Sequence, residues 1–217
     1  MVGYSWQYFY SEGQTTKAYG FLSDNFKWYS LAAAQTVESV SSYAESNTLI
    51  SMYGRINYNY ADKYLLTATV RRDGSSRFGS GNKWGIFPSV AASWRISQED
   101  FFQNDIMSDL KLRASFGITG SQEIGNYNSL STLGASTNGY LVGGEKITIV
   151  LPQQYTNPDL KWEQTAQTDI GIDFGFLNGK IRGSIDYYYK KTTDLLLSVA
   201  VPSPSLITTQ IANVGTV

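Results

Sequence analysis

Three aspartates are, by type and spacing, the best candidates for acid–base chemistry in this 217-residue chain. Asp169, Asp173 and Asp186 share one face of two predicted strands, where paired carboxylates could hydrolyse a glycosidic bond. The same face carries Arg113 and Arg182, whose cations would pair with carboxylates. A solvated ionic lining explains these five residues more simply than a catalytic pair does. We therefore predict that the protein is not an enzyme.

A glycine-rich stretch, "DGSSRFGSG" at Asp73–Gly81, could be read as a phosphate-binding loop. It lacks the Gly-Lys-Ser/Thr ending and the following helix that such a loop needs to hold phosphate oxygens. A loop between two β-strands accounts for the same residues. We predict a hairpin loop here and no nucleotide cofactor.

The residue types that are missing exclude several kinds of site. The chain has no histidine, which rules out a Ser-His-Asp triad, a histidine base and a histidine-ligated metal. It has no cysteine, which rules out disulfides and thiolate metal sites. A net charge of -1 gives no reason to expect nucleic acid as a partner. We expect no catalytic residue, no cofactor and no metal.

The composition favours strands that cross a membrane. Aromatic residues make up 14% of the chain and charged residues only 16%, against about 25% in average soluble proteins. The mean hydropathy is -0.23, and no run of 18 apolar residues suggests a transmembrane helix. Many aromatics, few charges and modest hydropathy are typical of β-strands with one apolar and one polar face.

Strict alternation of apolar and polar residues is the strongest pattern in the sequence. The stretch "RINYNYADKYLLTATVRRDGSSRF" at Arg55–Phe78 shows it on both sides of a turn. Its apolar set is Ile56, Tyr58, Tyr60, Tyr64, Leu66, Ala68 and Val70. The pattern recurs four more times and predicts seven full strands, near 2–10, 49–60, 63–72, 83–97, 109–119, 161–176 and 180–196, with an eighth starting near 211.

The connections between these strands alternate in length. Long loops are predicted at 11–48 and 120–160, and shorter turns at 61–62, 98–108 and 177–179. Short turns on one side and long loops on the other are typical of outer-membrane barrels, in which the long loops are extracellular.

The predicted apolar faces carry no charged residue in strands two to seven, and aromatics lie near the strand ends. These aromatics are Tyr58, Tyr60, Tyr64, Trp94, Phe174 and Phe176 on the short-turn side and Trp84 and Trp162 on the loop side. A membrane barrel has aromatic girdles at both interfaces. A soluble β-sandwich or jelly-roll binding module also explains the alternation, because its apolar face packs on a second sheet.

Five segments, in order, resemble the SusC/RagA family of TonB-linked outer-membrane transporters. They are "RINYNYADKYLLTATVRRDGSSRFG", "WGIFPSVAASWRISQEDF", "LKLRASFGITGSQEIGNY", "NPDLKWEQTAQTDIGIDFGF" and "GSIDYYYKKTTDLL". The resemblance runs from about Leu49 to Val217. It implies an antiparallel up-and-down transmembrane barrel of about 22 strands. This all-β chain would supply an incomplete segment of seven or eight strands.

The resemblance implies import of glycans or peptides across the outer membrane of a Gram-negative bacterium. Expected partners are the lipid bilayer, a surface lipoprotein lid of the SusD type and the TonB complex. We expect residues 1–217 to be part of the barrel domain. The plug, the N-terminal signal, the TonB-contacting segment and the C-terminal closing strands would lie outside them.

Candidate site residues follow from the alternation and from the loops. Charged residues on the polar face are predicted to line the lumen. They are Arg55, Arg71, Arg95, Arg113, Asp169, Asp173, Arg182 and Asp186. Four loop aromatics could stack on a sugar or contact a partner, although interfacial anchoring explains them as well. They are Trp28, Tyr29, Tyr127 and Tyr140.

Overall fold

The computed structural model describes residues 1–102, 104, 106–136 and 141–217. These fall into two compact units, residues 8–48 and residues 1–7 with 49–217. Regular structure in the described residues consists of β-strands and three short 3-10 helices, at Asp24–Tyr29, Leu31–Ala33 and Ile96–Gln98. None of their helices is long and apolar enough to cross a membrane.

Seven strands form one sheet: β1 Val2–Tyr19, β2 Thr36–Tyr60, β3 Tyr64–Ser75, β4 Trp84–Arg95, β5 Met107–Ser121, β10 Glu163–Phe176 and β11 Ile181–Thr193. Their order in the sheet is β1-β2-β3-β4-β5-β10-β11, and neighbouring strands from β2 onward pair antiparallel. Apart from the β5–β10 connection, sheet neighbours are also chain neighbours. The predicted up-and-down order of seven strands is confirmed.

Six short strands form three two-stranded sheets. Their bounds are β6 Thr132–Ser136 paired with β9 Ile149–Gln154, β7 Leu141–Val142 with β8 Glu145–Lys146, and β12 Leu196–Ala200 with β13 Thr209–Asn213. Parts of the predicted loop 120–160 therefore form short paired strands.

The predicted eighth strand near 211 is wrong as a strand of the main sheet. Residues Thr209–Asn213 pair with β12 instead. The chain returns to β11 only at Thr216, which bridges Thr193. The amide of Val217 donates to the Thr192 carbonyl at 2.9 Å, and the Thr192 amide donates back at 2.7 Å.

The predicted loop 11–48 is mostly strand. β1 continues to Tyr19 and β2 begins at Thr36, so the connection shrinks to about residues 20–35. The first nine residues of β2 are all exposed. Residues 36–48 carry polar side chains at both odd and even positions, so they produce no period-two pattern in the sequence.

Two tight turns set the register of their hairpins. Ala61 and Asp62 have φ of +51° and +55°, and Leu177 and Asn178 have +52° and +56°. Two residues with positive φ match the right-handed twist of antiparallel strands. The predicted turns at 61–62 and 177–179 are confirmed.

Two charged residues lie on the face predicted to be free of charge. Arg72 pairs in register with Ile86, and Lys191 pairs with Ala166, which puts both on the apolar face. Each lies near the loop end of its strand. The Arg72 guanidinium carbon lies 4.6 Å from the centre of the Trp84 ring. A long cationic side chain at a strand end can reach water while its stem covers apolar surface.

A buried apolar cluster lies at the loop end of the sheet. It consists of Phe78, Phe87, Ile124, Leu160 and Trp162. Leu160 is completely buried. The segment "NPDLKWE" therefore supplies two core residues in addition to leading the chain into β10.

Trp162 does not belong to an exposed aromatic girdle, which corrects the prediction. It is 5% exposed, and its ring centre lies 5.4 Å from that of Phe87, on the polar face. Its indole N–H donates to the Lys83 carbonyl at 3.0 Å. Strand parity fails here because Trp162 precedes β10, which begins at Glu163.

Candidate functional site

The register defines two faces for the part of the sheet formed by β2 to β5, β10 and β11. Residues directly opposite each other in antiparallel strands point to the same side. One cross-strand row runs Asn57, Thr67, Ala91, Ser115, Asp169, Tyr188. The adjacent row on the other side runs Tyr58, Leu66, Ala92, Ala114, Ile170, Tyr187. The first belongs to what we call the polar face and the second to the apolar face.

An ionic cluster joins three strands on the polar face. The Arg113 guanidinium contacts both oxygens of Asp173, at 2.8 and 2.9 Å, and one oxygen of Asp186 at 2.9 Å. Lys111 lies 3.7 Å from Asp173. Gly171 leaves room for this contact, because a Cβ there would lie 3.0 Å from the guanidinium and collide with the Asp186 carboxylate.

The geometry of this cluster does not suit catalysis. Asp173 and Asp186 both accept hydrogen bonds from the Arg113 guanidinium, so this side chain already lies between the two carboxylates, where a glycosidic oxygen would have to bind. The cluster can link strands and present a wet, charged surface.

The structure places the other predicted polar-face residues separately. Arg71 contacts Asp73 at 2.7 Å and the Ser51 hydroxyl at 3.0 Å. The Arg55 guanidinium donates to the Thr69 hydroxyl at 3.1 Å. The Asp169 carboxylate accepts a hydrogen bond from the Gln167 side-chain amide at 2.8 Å. Arg95 lies opposite Lys111 on the neighbouring strand, and Arg182 lies opposite Gly175.

Small side chains form a trough on the polar face. Three depressions of about 410, 280 and 430 Å³ adjoin each other because they share lining residues. Ser89, Gly117 and Thr119 line the first two, and Thr67, Ala91 and Ser115 line the last two. The trough runs from Arg71 near the loop end to Arg113 near the short-turn end. Its hydroxyls could contact a polar solute at close range.

Cations and anions are nearly equal in number on the polar face where the register pairs these six strands with one another. The cations are Arg55, Arg71, Arg95, Lys111, Arg113, Arg182 and Lys190. The anions are Asp73, Asp109, Glu163, Asp169, Asp173 and Asp186. Such a surface neither strongly attracts nor strongly repels either sign of charge.

Glu99 organises the short-turn end, and the sequence analysis missed it. One carboxylate oxygen accepts from the Tyr64 hydroxyl at 2.7 Å and from the Trp94 indole N–H at 2.9 Å. The other oxygen accepts from the Lys63 ammonium at 3.0 Å. Tyr64 and Trp94 stack with ring centres 6.3 Å apart and an interplanar angle of 12°. The spacing of "KY" and "WRISQE" does not show that their side chains meet.

The hydrogen bonds that the Glu99 carboxylate accepts give the stability of the short-turn end a testable dependence on pH. Hydrogen bonds from Tyr64, Trp94 and Lys63 lower the pKa of Glu99 from 4.5 to about 2. Because the folded pKa is the lower one, the stabilisation is fully present above pH 4.5 and is lost as pH falls through about 2. We expect the Trp94 indole proton resonance to stay constant from pH 7 to pH 4. It should move near pH 2.

Two comparisons check this dependence on pH. In Glu99→Gln the resonance should not titrate, because the amide carries no ionisable proton. A midpoint near pH 4.5 in the unsubstituted protein would show that the three donors do not hold the carboxylate.

Three of the four predicted loop aromatics lie within the described residues. Trp28 and Tyr29 contact each other edge to face, with ring centres 5.5 Å apart, and both are exposed. Tyr127 is 39% exposed and has a φ of +64°. Tyr140 lies outside the described residues. Within the described ranges no group of three or more acidic side chains could hold a metal ion.

Comparison with known proteins identifies the family. Residues 1–217 match the family model described as "TonB dependent receptor-like, beta-barrel". The chain belongs to the TonB-dependent receptor β-barrel family. Its predicted fold class, an incomplete segment of an antiparallel barrel, is confirmed by this match and by a solved relative.

Individual relatives place this family member in the SusC/RagA group. TonB-dependent receptor SusC of Bacteroides thetaiotaomicron is 46% identical over 166 residues, 75% of this chain and 16% of that protein. TonB-dependent receptor P26 of Formosa agariphila is 39% identical over 215 residues, 98% of this chain and 22% of that protein. The resemblance inferred from the five sequence segments is confirmed.

A solved structure shows the same fold. The structure described as the RagAB peptide transporter superposes with a TM-score of 0.83 at 30% sequence identity. The match covers 99% of this chain and 24% of that one. This TonB-dependent receptor barrel chain thus spans about a quarter or less of the length of these relatives.

Proposed function

We propose that this chain forms part of the barrel wall of an outer-membrane, TonB-dependent nutrient importer. Its apolar face lies against lipid, and its polar face borders the path of the solute. The observation that carries the proposal is the separation of the faces. One cross-strand row holds Tyr58, Leu66, Ala92, Ala114, Ile170 and Tyr187, and its neighbour holds only polar or small residues and Tyr188.

The lining of the trough suits a large polar solute, either a glycan or a peptide. Its floor of small residues allows close approach, and its hydroxyls can both donate and accept hydrogen bonds. The near balance of charge on the polar face suits a solute that is uncharged or carries both signs. The eight charged residues predicted to line the lumen are part of this wall.

Uptake by the full-length protein tests this function. We expect the transporter to fractionate with the outer membrane and to import a glycan or peptide only when the TonB complex is present. Substituting Ser115 or Ala91 with tryptophan would block the trough, so import should fall while barrel assembly persists. Unchanged import in both variants would contradict a solute path along this face.

We assign the plug, the closing strands and the TonB-contacting segment to parts of the polypeptide outside residues 1–217, by analogy with the family. We propose that residues 1–217 are part of the barrel domain, with the plug and the closing strands elsewhere in the polypeptide. The relatives support this assignment, because the chain spans 16–24% of their lengths. We propose that coupling to the TonB complex uses those other segments.

The chain segment 120–160 gives a prediction about a lipoprotein lid. We propose that a SusD-type lid closes over the loops and retains the solute. Gln154 ties this segment together, because its amide donates to the carbonyls of Tyr127 and Leu130 at 3.1 and 3.0 Å. Deleting 126–145 from the full-length transporter should weaken lid co-purification or uptake and leave the barrel assembled.

The loop deletion has a clear opposite result. Lid co-purification, uptake and assembly that all remain unchanged would show that the segment contacts neither lid nor solute. If the 126–145 deletion prevents barrel assembly, the double substitution Tyr127→Ala with Leu133→Ala takes its place. This variant removes two side chains and keeps the backbone.

A further inference from the structure

The apolar face has an open depression near the short-turn end of the sheet. It has a volume of about 430 Å³, and its lining is almost entirely apolar. Ala92 and Ala114 form its floor, because they pair directly with each other across β4 and β5. Larger side chains stand around them: Tyr58, Tyr64, Leu66, Trp94, Leu112 and Ile170.

One wall of this depression is held in place. Tyr64 and Trp94 stack on each other, and Glu99 accepts a hydrogen bond from each. A side chain fixed at both its ring and its polar end loses little further freedom when a ligand binds beside it. The depression is therefore shaped before any ligand arrives.

Charges of both signs lie at the rim beside this wall. The Lys63 ammonium lies 3.0 Å from a Glu99 oxygen and 3.7 Å from an Asp100 oxygen. The Asp100 side chain is fully exposed, so its carboxylate is available to a further cation. This rim holds one cation and two carboxylates, so its excess charge is negative and lies at the exposed Asp100, where a headgroup ammonium would satisfy it.

We propose that this depression is a binding site for one phospholipid with an ethanolamine headgroup. One acyl chain lies over Ala92 and Ala114, between the aromatic wall and Ile170. The headgroup phosphate faces Lys63, and its ammonium faces Asp100. The inference rests on the proposed function, because it requires the apolar face to lie in a bilayer.

Lipid titration of the purified full-length transporter tests the acyl-chain contact. The delipidated protein is titrated with dioleoyl phosphatidylethanolamine and observed by native mass spectrometry. Ala92→Phe fills the depression, so we expect about tenfold weaker binding of the first lipid, the factor expected when roughly two methylene groups lose their burial. Ala68→Phe is the matched control, because Ala68 lies on the same face one row away and outside the depression.

The control should bind like the unsubstituted protein. Equal binding by Ala92→Phe and Ala68→Phe would overturn the site. If Ala92→Phe does not assemble, Ala114→Leu fills the same floor from the neighbouring strand, and the same comparison applies.

The headgroup assignment has its own test. Asp100→Asn should abolish the preference for phosphatidylethanolamine over phosphatidylglycerol and leave the Glu99 contacts in place. An unchanged preference would overturn the role of Asp100. A transporter that extracts from membranes with detergent but binds no lipid here would contradict only this site. A protein that is soluble without detergent would contradict the proposed function itself.

Discussion

Ile170→Arg is expected to cost about 2–4 kcal/mol of barrel stability in the full-length protein. Ile170 is 56% exposed in the isolated chain and lies midway along β10 on the apolar face. In a bilayer this position meets hydrocarbon, where a guanidinium has no partner and no water. The change in unfolding free energy can be measured by urea titration of the barrel in lipid vesicles.

Two further arginine substitutions distinguish the effect of depth in the bilayer from the effect of the sheet face. Leu112→Arg should cost only about 0–1 kcal/mol, because a charge near the interface can reach water. The register places Leu112 in the row of Trp94, near the short-turn end. Gln167→Arg lies on the polar face and should cost least. Equal costs at Ile170 and Gln167 would contradict the assignment of the two faces.

Trp162→Ala is expected to loosen the loop end by about 3–5 kcal/mol. Trp162 is 5% exposed, and its ring centre lies 5.1 Å from that of Phe78 and 5.4 Å from that of Phe87. Its removal leaves a cavity and deprives the Lys83 carbonyl of its indole donor. Hydrogen exchange should increase in residues 73–83, 120–131 and 157–162, which pack around this cluster.

Trp84→Ala is the matched comparison for this substitution. Trp84 is 42% exposed and contacts Arg72 on the apolar face, so its removal leaves no buried cavity. We expect protection of the loops to stay unchanged in this variant. Equal loss of protection in both variants would show that the loop end has no core centred on Trp162.

The main sheet could be predicted because one face of each spanning strand is apolar. Tyr58, Leu66 and Ile170 mark that face in three strands, and a strict period of two has no other common cause. The turns at Ala61–Asp62 and Leu177–Asn178 were visible because little sequence separates the flanking patterns. Local signals of this kind need no knowledge of distant contacts.

Features that depend on distant contacts could not be read from the sequence. The extensions of β1 and β2 carry polar residues at both odd and even positions, so apolar and polar residues do not alternate along them. Trp162 reaches Phe78 and Phe87 from other segments, and strand parity alone placed it on the wrong face. Glu99 meets Tyr64 from a separate turn, 35 residues away in sequence. The hairpin of β12 and β13 replaced a strand that spacing alone had suggested.

Spin-label accessibility along β10 tests the central claim most directly. Single cysteines at positions 165–170, 172 and 173 of a cysteine-free full-length transporter would carry nitroxide labels in the native membrane. We predict collisions with oxygen, which concentrates in lipid, at 166, 168, 170 and 172, and collisions with a water-soluble nickel chelate at 165, 167, 169 and 173. An apolar face that packs on a second protein sheet would instead shield the labels at the even positions from both reagents, and that result would contradict the account.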